Sequence, residues 1–580
     1  MGREIGRIVE VRGVSVKAEL YELLPPYLIE KGSTIVSPRI NTYVKTKVGL
    51  DEIICQITGE YYDELKKGQF TGYYLDLTVK GFFEHDQFVQ GVRMLPMVAA
   101  SVELLNTDEF KRINECLDSH SFSLGTDLFD SNQKYYFSFN AIIPSHIGIF
   151  GNTGSGKSNT LARLLSEYAR VLINEKVSKG KVLVIDINNE YGGNAICEID
   201  NKVVYELSTR KDSESKIPIN YDELQEDEWC VLLNATEATQ RPVIKTAYND
   251  ERSGLEYEEI IRNMIRTGQH SLIRSMQYHM SDYVSGLEGF KWHSVAEKYF
   301  WDGGTFRVYT DDDGIDSYLN SISVEIPEEK LQHFLFKLYF AVAIHIGYGT
   351  QYEFISPMLR RAEKLVSDFD KVFNDVNDDL FGDKDIAVIQ LANVNKDMME
   401  LIPSILVSHL FSKQIDKKEN NEITDIVNVI IDEAHNLLYE NELDRKHNSI
   451  TIETFEKAIK EGRKFGMFLW ISSQRPSDIS STIISQMHNY IIHKLVNPYD
   501  LNKIRKAVAF LDQNSMDTLT VLGPGECVVS GTGLNMPCFL KVDQLDKEHR
   551  PKSENVMLYG DGGIFESEFD PLDFEDDLLF

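Results

Sequence analysis

The sequence predicts an α/β protein whose core is a mainly parallel sheet, with a strand-rich region before it and a helical region inserted into it. A short strand at residues 146–150 runs through a Gly-rich turn into a helix-period segment, and an apolar strand at 181–187 follows within one β–α–β unit. Residues 427–431 and 468–472 are continuously apolar, as is typical of strands buried on both faces of a parallel sheet. Segments within residues 5–79 instead alternate apolar and polar residues.

Length and composition indicate a multidomain globular chain. The 580 residues suggest about three or four domains. A content of 42% hydrophobic and 26% charged residues is typical of chains that bury a sizeable core. The six cysteines are widely scattered without a C-x-x-C pair, which argues against a zinc knuckle, a redox motif or a disulfide framework. We expect ordinary thiols in a reducing cytosol.

No segment is predicted to enter a membrane. Residues 1–17 mix charge with strand-like alternation, unlike a signal peptide. The most apolar stretch, residues 334–347, contains Lys337 and His345 and is shorter than the about 20 residues that a span needs. We therefore expect a buried helix there and a soluble, cytoplasmic protein.

The formal net charge of −31 opposes any simple nucleic-acid-binding surface, because Lys and Arg contacts to phosphate supply most non-specific affinity for DNA. Residues 561–580 contain eight carboxylates and no Lys or Arg, so they account for only part of the excess. If DNA binds, the basic groups must lie in a sheltered place such as a pore. Arg210 and Lys211, after a predicted strand at residues 202–207, are candidates, with a solvated loop as the alternative.

Changes in pattern divide the chain into four predicted regions. The strand-rich start covers residues 1–100, as a sandwich or a small barrel. The sheet core covers residues 101–196 and 383–543, and a helical insertion at 197–382 separates its halves. Residues 544–580 are an acidic arm with interleaved phenylalanines, which is predicted to be poorly ordered or to dock a partner.

The turn Gly151-Asn-Thr-Gly-Ser-Gly156-Lys157-Ser158 matches the Walker A pattern. Glycines let backbone N–H groups turn inward around phosphate oxygens, and the helix that begins there directs its positive end at the same anion. We expect Lys157 to neutralise the β- and γ-phosphates and Ser158 to ligate Mg²⁺. A chance match is the alternative, and the flanking strand and helix argue against it. The predicted ATP-binding residues are Gly151, Asn152, Thr153, Gly154, Ser155, Gly156, Lys157, Ser158 and Asn159.

The run Ile426-Val-Asn-Val-Ile-Ile-Asp432-Glu433 has the form of a Walker B motif. An apolar strand carries Asp432 to the sheet edge, where it is predicted to hold Mg²⁺ with Ser158. Glu433 is placed to orient or deprotonate the attacking water. Alone, the pattern also fits a strand that ends in a solvated acidic turn. Beside a Walker A motif, it predicts a RecA-like P-loop NTPase core.

Two further side chains are candidate phosphate sensors. Gln474 follows the strand at residues 468–472 and is expected to reach the γ-phosphate or the attacking water. Arg463 ends a helix just before that strand and is a candidate arginine finger. The alternatives are a turn amide and a solvated cation at a helix end. The predicted catalytic residues are therefore Glu433, Lys157, Arg463 and Gln474.

In these motifs the sequence resembles the HerA family of DNA-translocating ATPases, in the wider FtsK–HerA superfamily. The matching stretches are residues 151–160, 184–191, 430–435, 461–466, 472–477 and 523–529. The resemblance extends from about residue 4 to residue 543. It departs from the family at Asn189, where a glycine is common, and at Ser145 and His146, where an arginine or lysine commonly precedes the Walker A strand.

The resemblance implies a small N-terminal β-barrel, an inserted helical subdomain and a homo-hexameric ring with ATP between subunits. Asp432 and Glu433 would act within their own subunit, and Arg463 would reach the neighbour's phosphates. Double-stranded DNA would pass through the central pore. HerA-like rings work with a nuclease, and many bacterial ones work with a nuclease or sirtuin-like effector in phage defence.

Three functions are therefore compared. The first is an ATP-driven DNA translocase or helicase that serves a nuclease or other effector in phage defence or DNA end processing. The second is an ATP-dependent scaffold ring that assembles and activates an effector without processive movement. The third is a secretion or conjugation motor, which the absence of a predicted membrane span disfavours.

Overall fold

A computed structural model supplies the structure of the chain. The residues that it describes are 3–30, 33–49, 51–65, 69–85, 87–114, 120–130, 133–175, 180–418, 423–440, 449–508, 511 and 513–551. Most of the predicted acidic arm, residues 552–580, lies outside them. Within the part described, no helix is both long enough and apolar enough to cross a membrane.

The N-terminal region is a closed six-stranded antiparallel barrel, which confirms the implied barrel. Its strands, in order around the ring, are Ser15–Leu20, Glu4–Arg12, Ser101–Leu104, Tyr43–Val48, Asp51–Leu65 and Gln69–Glu84. The last of these pairs again with Ser15–Leu20 and closes the ring. Alternate residues of Ser15–Leu20 are buried, because one face of each strand lines the barrel core. Since Ser101–Leu104 completes the ring, the barrel extends past the predicted boundary at residue 100.

The predicted sheet core contains a ten-stranded sheet. In order across the sheet, the strands are Gly125–Asp127, Cys538–Val542, Glu526–Gly531, Asn489–His493, Ile147–Phe150, Met467–Ser473, Ile426–Ile431, Gly180–Asp186, Ile386–Asn393 and Val203–Ser208. The strands from Asn489–His493 to Val203–Ser208 are parallel, and the remainder are antiparallel. The prediction of a mainly parallel sheet is confirmed.

Helices cover both faces of this sheet, which explains the continuously apolar strands. Helix Lys157–Asn174 packs Leu161 and Leu165 in one hydrophobic cluster with Ile430. The neighbouring Val429 belongs to the cluster on the other face, with residues of helices Lys396–Lys417 and Ser449–Glu461. Successive strand residues point to opposite faces, so every position of a covered strand is buried.

The inserted region is mainly helical, as predicted. Its α-helices are Glu226–Leu232, Arg241–Tyr248, Gly254–Arg266, His270–His279, Ile315–Leu319, Lys330–Gly347 and Tyr352–Val372. It also contains a three-stranded sheet of Phe290–His293, Lys298–Asp302 and Arg307–Tyr309. The boundary predicted at residue 197 lies too early, because Val203–Ser208 pairs with Ile386–Asn393 as the edge strand of the core sheet. Lys330–Gly347 contains the apolar stretch and is largely buried.

The remaining described α-helices lie in the chain segments that precede or separate strands of the core sheet. They are Thr107–Asn114, Phe139–Ile142, Ser481–Ser485, Pro498–Ala507 and Gln513–Thr518. The barrel contacts Gln513–Thr518 directly, since Asn514 Nδ2 donates to the Thr58 carbonyl at 2.8 Å and Asn41 Nδ2 donates to Thr518 Oγ1 at 3.3 Å.

Candidate nucleotide site

The Gly-rich turn follows a central strand of the ten-stranded sheet. Strand Ile147–Phe150 is completely buried between Asn489–His493 and Met467–Ser473. Gly154 and Gly156 have φ values of 73° and 101°, which side chains with a Cβ rarely adopt. A Cβ on Gly156 would also lie 2.8 Å from the Gly525 Cα. The turn therefore requires these glycines before helix Lys157–Asn174 begins.

A second loop, which contains Gly525, contacts the Gly-rich turn. The Gly525 N–H donates to the Ser155 carbonyl at 2.8 Å. The His493 ring is fully buried, and its Nδ1 donates to the Glu526 carbonyl at 2.9 Å. Burial lowers the His493 pKa to about 4, so the ring is neutral at physiological pH. Sequence reasoning gave His493 no role, because a single histidine at the end of a strand carries no pattern.

The structure brings the Walker A lysine to the two Walker B carboxylates. Lys157 Nζ lies 3.1 Å from Glu433 Oε1 and 3.6 Å from Asp432 Oδ1. All three side chains are buried. A buried cation between two buried carboxylates compensates their charge, whereas any of them alone would be costly to desolvate.

Gln474 joins this cluster from the neighbouring strand. Its Nε2 donates to Glu433 Oε1 at 2.5 Å, and its Oε1 accepts a hydrogen bond from the Thr153 hydroxyl in the Gly-rich turn. Glu433 has a φ of 50°, an uncommon conformation for a residue with a side chain. The buried Glu433 Oε2 has no hydrogen-bond partner among the described residues, and His435 Nδ1 lies 3.3 Å from it. Gln474 therefore links the Gly-rich turn to one oxygen of Glu433, whereas the other oxygen lies beside His435.

Asp432 is held by a residue that sequence reasoning did not single out. The Tyr191 hydroxyl donates to Asp432 Oδ2 at 2.9 Å, and the tyrosine is completely buried. Its backbone N–H donates to Asp186 Oδ2 at 2.8 Å. Glu190 lies beside them, and burial together with the Asp432 charge raises its pKa to about 7. Sequence reasoning included Asp186, Glu190 and Tyr191 only through the family resemblance at residues 184–191. The signal that could have indicated them is an apolar strand that ends in an acidic residue.

Oxygen donors gather here in a form that suits Mg²⁺ and phosphate. Ser158 is the second residue of helix Lys157–Asn174, half-exposed, and Asp432 ends the Walker B strand. Mg²⁺ prefers one or two protein oxygens and completes its shell with water and phosphate oxygens. Within the part of the chain that is described, Ser155 Oγ and Glu190 Oε2 are also buried without hydrogen-bond partners. These residues fit a magnesium nucleotide.

Two predicted site residues face elsewhere in this chain. Asn159 Nδ2 donates to the Asp543 carbonyl at 3.3 Å, and its Oδ1 accepts from the Leu545 N–H at 3.4 Å. Arg463 is exposed and lies before strand Met467–Ser473, whereas Gln474 follows it. A strand of this length spans about 20 Å. The Arg463 Nη1 lies 3.5 Å from His488 Nε2 instead, so Arg463 does not reach the nucleotide site of its own chain.

A Gly-rich turn between a buried strand and a helix, with its lysine against paired carboxylates on a parallel sheet, defines this chain as a P-loop ATPase. Residues 122–410 match the family described as Helicase HerA, central domain. Residues 401–538 match Helicase HerA-like C-terminal. The chain belongs to the HerA family.

Curated relatives cover most of the chain. The DNA double-strand break repair helicase HerA of Sulfurisphaera tokodaii is 26% identical over 83% of this chain and 81% of its own length. The probable DNA double-strand break repair helicase HerA of Methanocaldococcus jannaschii is 24% identical over 80% and 84%. The probable helicase MJ1565 of the same organism is 22% identical over 72% of this chain and 66% of its own.

Solved structures give a more distant likeness. VirB4 of Thermoanaerobacter pseudethanolicus aligns with a TM-score of 0.43 and 13% identity, over 74% of this chain and 98% of that chain. The bacterial conjugative coupling protein TrwB aligns with a TM-score of 0.43 and 11% identity, over 77% and 95%. Likeness at this level does not bear on activity.

Proposed function

We propose that this chain is the subunit of a cytoplasmic homo-hexameric motor that hydrolyses ATP and translocates or unwinds double-stranded DNA for a partner nuclease or sirtuin-like effector, in phage defence or DNA end processing. The observation that carries the ATPase part is the buried cluster of Lys157, Asp432, Glu433 and Gln474. The DNA and effector parts rest on membership of the HerA family.

ATP binds with its phosphates on the backbone N–H groups of residues 151–158, and Ser158 and Asp432 hold Mg²⁺. The metal, when bound, neutralises charge on the phosphate oxygens. Lys157, which lies against both Walker B carboxylates, contacts the β- and γ-phosphates.

Glu433 accepts the proton of the attacking water. Its Oε1 is held by Lys157 and Gln474. Its Oε2 lies 3.3 Å from His435 Nδ1, makes no hydrogen bond within the described residues, and is the oxygen that we assign to the water. Gln474 also bonds Thr153 of the turn, so the base and the phosphate-binding backbone are fixed relative to one another. A positioned base of this kind contributes about 100- to 10,000-fold to a rate.

Arg463 acts on the neighbouring subunit's nucleotide. Its exposed side chain and its distance from its own chain's site support a role between subunits. Mixing variants tests this, because a finger that acts across an interface can complete the site of a subunit that lacks its own arginine.

DNA contacts the ring through basic groups sheltered from the acidic exterior. Arg210 and Lys211 follow edge strand Val203–Ser208 and are exposed. Neither side chain forms a hydrogen bond or ion pair within the described residues. Six copies of such a pair would make a local basic surface inside an acidic shell.

The alternative is an ATP-dependent scaffold ring that assembles and activates an effector without processive movement. The barrel exposes large apolar side chains within one short segment, which favours protein docking. They are Val92, Leu95, Met97 and Val98. The two functions differ in their response to DNA.

The deciding experiment combines native mass measurement with ATP turnover, each with and without duplex DNA. The translocase proposal expects a six-fold assembly, faster turnover with DNA and displacement of a protein roadblock from the duplex. A six-fold assembly whose turnover and DNA binding are indifferent to duplex would overturn translocation and support the scaffold. A chain that does not bind Mg·ATP would overturn both.

A further inference from the structure

The segment of residues 186–191, named here the Tyr191 strap, crosses from the end of strand Gly180–Asp186 to the Walker B carboxylate. Both oxygens of Asp186 accept backbone N–H groups within the strap, from Glu190 at 2.9 Å and from Tyr191 at 2.8 Å. Asp186 is completely buried. The strap is therefore closed on itself by a carboxylate at its first residue.

Neighbouring elements fix the strap from outside. Gln390 Nε2 donates to Asp186 Oδ2 at 3.3 Å, and the buried Lys202 Nζ donates to the Tyr191 carbonyl at 3.0 Å. Asn189, which has a φ of 62°, accepts from the Ala392 N–H at 3.2 Å. These contacts attach the strap to strand Ile386–Asn393 and to Lys202, which immediately precedes strand Val203–Ser208. The backbone position of Tyr191 is therefore fixed.

The Tyr191 side chain extends from the strap to one oxygen of Asp432. Its hydroxyl donates to Oδ2 at 2.9 Å. Oδ1 accepts from the Glu433 N–H at 3.0 Å and lies 3.6 Å from Lys157 Nζ. The hydroxyl therefore sets the rotation of the carboxylate and directs Oδ1 toward the cluster.

We infer that Tyr191 is a positioning residue for Asp432, held in place by Asp186, and that it orients the carboxylate for Mg²⁺ bound with a nucleoside triphosphate. The inference rests on the proposed role of Asp432 in holding Mg²⁺. Side chains that hydrogen-bond a metal-ligating carboxylate fix its orientation, and their removal typically lowers metal affinity about 10- to 100-fold. A tyrosine that only filled the core would affect stability without affecting the magnesium requirement.

The test is a Mg²⁺ titration of Tyr191→Phe, which removes only the hydroxyl. Stabilisation of the full chain by ATP against heat is measured at rising Mg²⁺, and again in excess chelator. Tyr205→Phe is the matched control, because Tyr205 lies on edge strand Val203–Ser208 and its hydroxyl also makes a buried 2.9 Å hydrogen bond, to the Leu380 carbonyl. We expect the Mg²⁺ needed for half-maximal stabilisation to rise about tenfold in Tyr191→Phe. Metal-free ATP binding and the control should match the wild type.

A wild-type magnesium requirement in folded Tyr191→Phe would overturn the inference while leaving the proposed function intact. A wild-type chain that gains no stability from ATP and Mg²⁺ would instead overturn the proposed function. Should Tyr191→Phe fail to fold, Gln390→Ala loosens the strap without touching Asp432. A raised Mg²⁺ requirement in that variant supports the inference, and an unchanged one overturns it.

Discussion

Lys157 and Glu433 are 276 positions apart in the chain, yet Lys157 Nζ lies 3.1 Å from Glu433 Oε1. The barrel precedes both, and the inserted helical region lies between them. The parallel sheet brings them together, because strands Ile147–Phe150 and Ile426–Ile431 flank Met467–Ser473 and end at the same edge. Their contact joins the phosphate-binding turn to the proposed base.

Glu433→Gln should retain Mg·ATP binding and lose most hydrolysis. The amide preserves shape but cannot accept the water proton, so turnover should fall about 100-fold or more. Single-turnover hydrolysis and a nucleotide-binding assay measure the two effects separately. Glu453→Gln, an exposed glutamate on helix Ser449–Glu461, is the control. Hydrolysis near the wild-type rate would remove Glu433 from the role of base.

Gln474→Ala should lower kcat about tenfold or more with little change in nucleotide affinity. The variant removes a hydrogen bond to a charged group, a contact worth about 1.5–3 kcal/mol, and it detaches Thr153 from Glu433. Steady-state kinetics separate kcat from KM. A rise in KM alone would mean that Gln474 supports binding rather than the base.

Arg463→Ala should reduce turnover by about three orders of magnitude if the residue is an arginine finger. Mixing it with Glu433→Gln should restore part of the activity, because some interfaces then pair an intact glutamate with an intact arginine. Lys464→Ala, in the same turn, serves as the control. Mixtures that remain inactive at every ratio would contradict action across the interface.

Arg210→Ala with Lys211→Ala should weaken duplex binding and reduce its salt dependence, while basal ATP turnover is unchanged. Each lost phosphate contact lowers the slope of log affinity against log salt by about 0.9. Arg505→Ala with Lys506→Ala is the matched control, since these exposed adjacent cations end helix Pro498–Ala507. An unchanged salt slope would place the DNA contact elsewhere.

His493 should make folding stability depend on pH. Its folded-state pKa is lowered to about 4, below the ordinary value of 6.5, so the unfolded chain binds its proton first as pH falls. Its contribution to stability is therefore complete above pH 6.5 and is lost as pH falls through the interval from 6.5 to 4, by up to about 3 kcal/mol.

Denaturant unfolding at pH 7 and pH 5 measures this dependence. His493→Asn should lose less stability between the two pH values than the wild type loses. His549→Asn, at a half-exposed histidine, should behave as the wild type does. Equal losses in all three chains would exclude His493 as the source.

The sequence predicted what local patterns encode. The Gly-rich turn and the apolar strand ending in Asp432 and Glu433 are contiguous motifs whose chemistry dictates their residues, and the structure brings them into contact. A strand was predicted at residues 202–207, but it was assigned to the insertion because its pairing with Ile386–Asn393 joins segments that are far apart in sequence. Barrel closure is likewise non-local, since the strand pairs that close it are distant in sequence.

The role of His493, and that of Tyr191 within the matching stretch at residues 184–191, were missed for a different reason. Each is a single buried side chain whose importance comes from one partner on another element, Asp432 for the tyrosine and the Glu526 carbonyl for the histidine. No spacing rule reports such a pair. Arg463 was found by its position before a strand, and the resemblance directed it to the neighbour's phosphates. The fold adds that its side chain lies beside His488, away from its own chain's site.

The contact between Gly525 and Ser155 has a mechanical consequence. The stretch of chain from Asn514 to Gly525 is attached at one end to the barrel, through Thr58, and at the other to the phosphate-binding turn. This stretch therefore links the barrel to the Gly-rich turn. If ATP binding shifts the Gly-rich turn and thereby changes the affinity of the barrel for a partner protein, that partner must change the affinity of the chain for ATP by the same factor.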